Sequence, residues 1–271
     1  MNRTYLFDGA ILAEHAVDIS VLDTSAAVYL YSDLDGDAAR VGPILIPETT
    51  ETLAFANRLI NAEDSRRFAT SLLFHRGTQE SLVAHLSQLR YLATSHEAAR
   101  RYFLRFADTR ALYALSHVAT PAQLHGLLGP VSRWTWVAPD KTFLELTVPL
   151  GWAGESSAPP LHFSPEQLRA FLRQCRYHEL LQATLTANPS LSNLGSLAER
   201  HTWTQRAHQW LHQHGINHGG IHVAVNEAVW RTRGGALAAE TFPEVVRRAA
   251  SEGQPQVIRE WATAAASKRS A

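Results

Sequence analysis

The chain has 271 residues and a single cysteine, so no disulfide can close within it. Cys175 falls on the apolar face of an expected helix and reads as core rather than nucleophile. An excess of either charge is also lacking. Lys+Arg and Asp+Glu each number 25, and the short pair Lys268-Arg269 sits in an expected frayed tail, which argues against a nucleic-acid partner. No apolar run approaches the ~20 residues needed to span a bilayer, so membrane insertion is not expected. The N-terminus lacks a basic region followed by an apolar stretch and a cleavage site, and the expectation is a cytoplasmic protein. Gly-x-Ser-x-Gly, Ser-x-x-Lys, Gly-x-Gly-x-x-Gly and a phosphate-binding loop are all missing. No cofactor and no catalytic residues are expected, and the chain does not read as an enzyme.

The residues present alternate between strand and helix signals as far as residue 150. Strands are expected at 4–8, 26–32, 41–46 and 68–75, with a helix over 50–61. From Thr78, a candidate N-cap, Leu82, Val83, Leu86, Leu89 and Leu92 recur at helical steps. Tyr102, Leu104 and Phe106 alternate with Phe103 and Arg105 as a half-buried strand should. Asp108 then precedes Ala111, Leu112, Ala114 and Leu115 and is well placed to cap their helix. Thr120-Pro121-Ala122-Gln123 reads as a capping box with proline in the first turn. Gly129-Pro130 ends that helix, and a hairpin is expected from Val131, Trp134 and Trp136 through Phe143, Leu144 and Leu146.

Residues 151–162 carry Gly, Ser and Pro without periodicity and read as a linker. Helical signals dominate beyond it. Ser164-Pro165-Glu166-Gln167 opens one helix, 194–214 forms a second ending at Gly215, a third follows from Asn217, and Thr241-Phe242-Pro243-Glu244 and 257–265 supply two more. The expected class is α+β: a mixed α/β lobe over 1–150, the linker 151–162, and an all-helical lobe over 163–271.

Several side chains invite chemistry. His208, His212, His214, His218 and His222 suggest a metal site, yet a glycine cap interrupts them and no carboxylate or cysteine lies at ligand spacing, so exposed helix histidines are the preferred reading. Asp33-Leu34-Asp35-Gly36-Asp37 resembles the opening of a calcium loop with its glycine misplaced, and a polar turn explains it. Arg105, Asp108 and Arg110 form a charged cluster read as structural, with partner contact as the alternative. Trp203 and Trp210 share a helix face and Trp230 lies on the next helix; partner anchoring competes with a place in the lobe's core.

Two blocks carry a resemblance. Arg105, Phe106, Asp108 and Arg110 stand where a family has Arg-Phe-Tyr-Asp-Pro-Arg, and Gly129, Pro130 and Trp134 match its Gly-Pro-x-x-x-Trp. Ala107 and Thr109 depart from the first block. The chain thus resembles the effector-chaperone, or adaptor, family of bacterial type VI secretion systems, whose core was long catalogued as a domain of unknown function. The resemblance implies a non-catalytic protein with two partners, a specific secreted effector and a spike protein of the VgrG type onto which the effector is loaded. A metal-assisted hydrolase built on His208 to His222 and a self-assembling subunit are the alternatives.

Overall fold

A computed structural model describes residues 1–22, 24–94, 101–138, 140–147 and 160–270. The protein is α+β, and two compact units divide it, Met1–Gln174 and Cys175–Ala271.

The first unit opens with strand β1 (Asn2–Asp8), followed without a loop by helix α1 (Gly9–Glu14). Next come β2 (Val28–Tyr29), α2 (Asp37–Arg40), β3 (Pro43–Pro47), α3 (Thr50–Ile60) and β4 (Thr70–His75). The chain continues through α4 (Gln79–Gln88), β5 (Tyr91–Thr94), β6 (Arg101–Phe103), α5 (Thr109–Val118) and α6 (Pro121–Leu128). Hairpin β7 (Val131–Val137) and β8 (Phe143–Thr147) precede β9 (Leu161–Phe163) and the start of α7 (Pro165–Ala187). Among the described residues, six strands form one sheet in the order β2-β3-β1-β4-β7-β8, with every neighbouring pair antiparallel. A second sheet has the order β6-β5-β9, in which β5 and β9 run parallel. Leu6, Leu45, Leu73, Trp134 and Leu146 line the large sheet's core face, and α4, α5 and α6 lay Leu82, Leu86, Leu112, Leu115 and Leu127 against it. Each such side chain contributes roughly 1.5–3 kcal/mol by leaving water.

Local chemistry sets the helix starts. The side chains of Thr49, Thr78 and Asp108 accept from first-turn amides of α3, α4 and α5, and Thr120 with Gln123 closes a full capping box on α6. Ser164 and Gln167 do the same for α7, through Ser164 N to Gln167 Oε1 at 3.0 Å and Gln167 N to Ser164 Oγ at 3.2 Å. These two boxes interlock, because Gln167 Nε2 also donates to Gln123 Oε1 at 2.7 Å and to Val118 O at 3.1 Å.

Three expectations are corrected here. The strand expected over 102–106 stops at Phe103, where the chain turns inward: Leu104 and Phe106 are buried, but Tyr102 is 38 % exposed rather than sharing their face. The strand expected over 26–32 keeps only Val28–Tyr29, since Leu30 and Tyr31 enter the core as turn residues. Of the expected linker, 151–159 lie outside the described residues, while Leu161–Phe163 form β9. The first compact unit reaches Gln174.

The second unit holds the remainder of α7, α8 (Leu197–Gln213), α9 (Gly219–Arg231), α10 (Phe242–Glu252) and α11 (Pro255–Ser270). Its core gathers Leu180, Leu211, Val225, Val229, Trp230, Phe242, Val246 and Ile258. Ser196 and Glu199 make a capping box on α8 that sequence reasoning overlooked. Thr241, expected to cap α10, makes no side-chain cap; its hydroxyl instead accepts from Trp261 Nε1 at 3.3 Å. Helix α9 begins at Gly219, two residues past Asn217, with no side-chain cap.

Candidate functional site

Two buried aspartates define the motif's centre. Asp8 ends β1 and caps α1, accepting from Ile11 N at 2.9 Å, and Asp108 caps α5, accepting from Arg110 N at 3.0 Å. Arg105 lies between them, with Nη2 2.8 Å from Asp8 Oδ1 and 3.7 Å from Asp108 Oδ2. Arg110 grips Asp108 with both ends of its guanidinium, Nε to Oδ1 at 2.9 Å and Nη2 to Oδ2 at 2.7 Å, and lies 5.3 Å from the centre of the Phe68 ring. Two positive and two negative groups thus join the starts of two helices far apart in sequence.

Burial raises the Asp8 carboxyl above its ordinary range; the Arg105 charge opposes this and the Asp108 charge adds to it. For Arg110 burial works against the charged form, but the Asp108 carboxylate outweighs it and lifts the guanidinium above its usual value. An arginine so held stays protonated and cannot shuttle a proton, and both carboxylates are committed to helix amides and guanidinium groups. The geometry is that of an electrostatic clasp.

The other motif residues stand nearby in the same core. Phe106 meets Trp134 edge to face, with centroids 6.3 Å apart, and Trp134 Nε1 donates to Ser71 Oγ at 2.8 Å. Gly129 has φ +52° and ψ −115°, and a Cβ there would lie 2.3 Å from the His85 ring. His85 holds that close position by donating from Nε2 to Leu127 O at 3.0 Å, and burial lowers its pKa despite this bond. The Pro130 carbonyl accepts from Arg76 N at 3.2 Å as the chain enters β7. Arg105, Phe106, Asp108, Arg110, Gly129, Pro130 and Trp134 therefore all have internal partners.

Asp8 is the member that sequence reasoning missed. Its signal was an aspartate immediately ahead of Ile11 and Leu12, the pattern recognised at Asp108. Gly9 beside it is required by space, since a Cβ would lie 2.3 Å from the carbonyl oxygen of Gly42.

The remaining candidates fall elsewhere. Trp230 is fully buried and donates from Nε1 to Thr204 Oγ1 at 3.0 Å, and Trp203 is 7 % exposed. Both belong to the second unit's core, so neither ring offers a surface to a partner of the folded unit. Trp210 is half-buried, stacked on His214 with centroids 3.9 Å apart. His214 Nδ1 donates to Trp210 O and His222 Nε2 to Ile216 O. Among the described residues no three His, Cys, Asp or Glu side chains converge as a metal site would require. Asp33, from the supposed calcium loop, faces Arg90 at 2.6 and 2.9 Å, and that hydrogen bonding holds its carboxyl below the ordinary range. Asp33, Arg90, Tyr91 and Arg101 border an open cleft of about 430 Å³.

The sheet-bearing unit, with its clasp, belongs to a protein of the α+β class. Residues 5–126, from β1 almost to the end of α6, match the family model described as Domain of unknown function (DUF4123). No curated protein and no solved structure matches the chain. No helix among the described residues is long and apolar enough to cross a membrane.

Proposed function

We propose that this protein is a non-catalytic adaptor of type VI secretion, which binds one secreted effector in the cytoplasm and presents it to a spike protein of the VgrG type. The observation that carries this reading is the coincidence of two signals on the same residues. The match over 5–126 contains Arg105, Phe106, Asp108 and Arg110, the first of the two blocks that carry the resemblance to effector chaperones, and ends just short of the second. The chemistry of that block agrees, because its charges are spent on helix starts rather than on a substrate. In this reading the first unit is the part shared with relatives, and the second, with half-buried Trp210 on its surface, selects the client.

Affinity purification of the tagged chain from cells with an active secretion system tests the proposal. The expected result is near-stoichiometric recovery of one toxin-like protein and a spike protein, identified by mass spectrometry. Recovery of the chain alone, from cells in which the secretion machinery is demonstrably expressed, overturns it.

A further inference from the structure

We infer that β8 is a docking edge for an extended, basic segment of a partner polypeptide, which would pair with it as a seventh strand. The inference rests on the client-binding reading above: the client supplies the segment that β8 holds, while choice among clients stays with the second unit. Among the described residues β8 is the terminal strand of the large sheet and pairs with β7 on one side. The phase of that ladder follows from the bond of Ala138 N to Thr142 O at 2.9 Å, which lies in the same register as Trp136 with Leu144 and Trp134 with Leu146. Antiparallel ladders alternate bonded and non-bonded pairs, so Phe143, Glu145 and Thr147 occupy the non-bonded positions. Their N–H and C=O groups point away from β7. Three consecutive outward positions are a template for strand addition.

The side chains at these same positions say what fits. Phe143, Glu145 and Thr147 are all exposed, and Phe143 at 76 % is the most exposed large apolar side chain among the described residues. Leu144 and Leu146 point to the other face, into the core. Glu145 has no ion-pair partner among the described residues, its cross-strand neighbour being Thr135. A second copy is disfavoured, because an antiparallel pairing of β8 with itself over all five residues sets Glu145 against Glu145. A lysine or arginine opposite Glu145, with apolar side chains two residues to either side to cover Phe143, satisfies both features. Glu145 thus guards the edge against self-association and admits a segment of opposite charge.

The test needs no client. The fluorescein-labelled peptide Thr-Val-Ser-Arg-Ser-Val-Thr and its counterpart with Glu for Arg are titrated with the full-length chain by fluorescence polarisation. The arginine peptide is expected to bind about fivefold tighter, and Glu145→Arg to reverse the order. Glu145→Pro removes an outward N–H that β7 does not use, so it should weaken binding at least about tenfold with the thermal midpoint unchanged. Should that variant fold poorly, the Glu145→Arg reversal still decides. Hydrogen exchange at Phe143, Glu145 and Thr147 should slow with the arginine peptide bound. Equal affinities, binding that survives Glu145→Pro, protection elsewhere, or no binding up to millimolar peptide overturns the inference. Such a failure leaves co-purification of a client untouched, so the two readings fail separately.

Discussion

Arg105 donates from Nη2 to Asp8 Oδ1 at 2.8 Å, across 97 residues of sequence. The Asp8 carboxylate is 5 % exposed while Arg105 retains 43 %, so the pair is buried at one end and wet at the other. Removing Arg105 leaves a buried charge with one amide donor. Arg105→Ala is therefore expected to destabilise the protein by about 1.5 kcal/mol, less than a fully buried pair would lose because solvent reaches the arginine. The same substitution in an Asp8→Asn background should cost about half as much. Urea denaturation of the four proteins measures the coupling, and additive effects would mean that the contact contributes nothing.

Gly129 makes a sharper demand. Its positive φ disfavours any side chain, and the His85 ring occupies the space a methyl group would need. Gly129→Ala is expected to cost more than about 2 kcal/mol. Adding His85→Ala should relieve the steric part and leave the backbone part. If the double variant is no more stable than the single one, backbone conformation alone is responsible.

The same histidine predicts a pH dependence. Burial depresses the His85 pKa, and burial together with the N-terminal charge depresses that of His75. The unfolded chain, with histidines near 6.5, then binds protons that the folded chain refuses. Stability from these groups is complete above about pH 6.5 and is lost as pH falls through the lower folded values. Asp8 acts in the opposite sense, since its raised pKa means that stability is gained as pH falls through the folded value. The slope of unfolding free energy between pH 6.5 and 5.5 should flatten in His85→Gln, whose amide can still donate to Leu127 O. An unchanged slope would assign the dependence to other groups.

For the adaptor reading, the expected outcome concerns the second unit. Exchange of Cys175–Ala271 for the corresponding part of a related adaptor should transfer client choice, and Trp210→Ala should weaken client capture while the helical unit stays folded. Trp230→Ala, by contrast, should unfold that unit, at about 3–5 kcal/mol. Client preference that follows residues 1–174 would refute this division of labour.

Local grammar made much of this fold legible. Thr78, Asp108, Thr120 with Gln123, and Ser164 with Gln167 were readable as helix starts because capping involves residues two or three apart, and the Trp134 hairpin announced itself by alternation. What escaped was non-local. Nothing in Tyr102 to Phe106 reveals that the backbone leaves the sheet after Phe103, since strand and inward-turning loop bury the same Leu104 and Phe106. The pairing of Asp8 with Arg105 depends on which strands become neighbours, and sequence spacing does not encode strand order. Thr241 had the right residues for a cap, but Trp261, twenty positions on, claimed its hydroxyl. Trp203 and Trp230 looked alike as anchors or core until packing placed both inside.

The parallel pairing of β5 with β9 has a consequence for biosynthesis. Leu92 must wait for Leu161, and the Ser164–Gln167 box that locks onto Gln123 emerges later still. At roughly 5–20 residues per second, the small sheet stays incomplete for several seconds after β5 has left the ribosome. During that interval one side of β5 is open to any strand that reaches it, so the nascent chain is most exposed to mispairing while its own β9 is still being made.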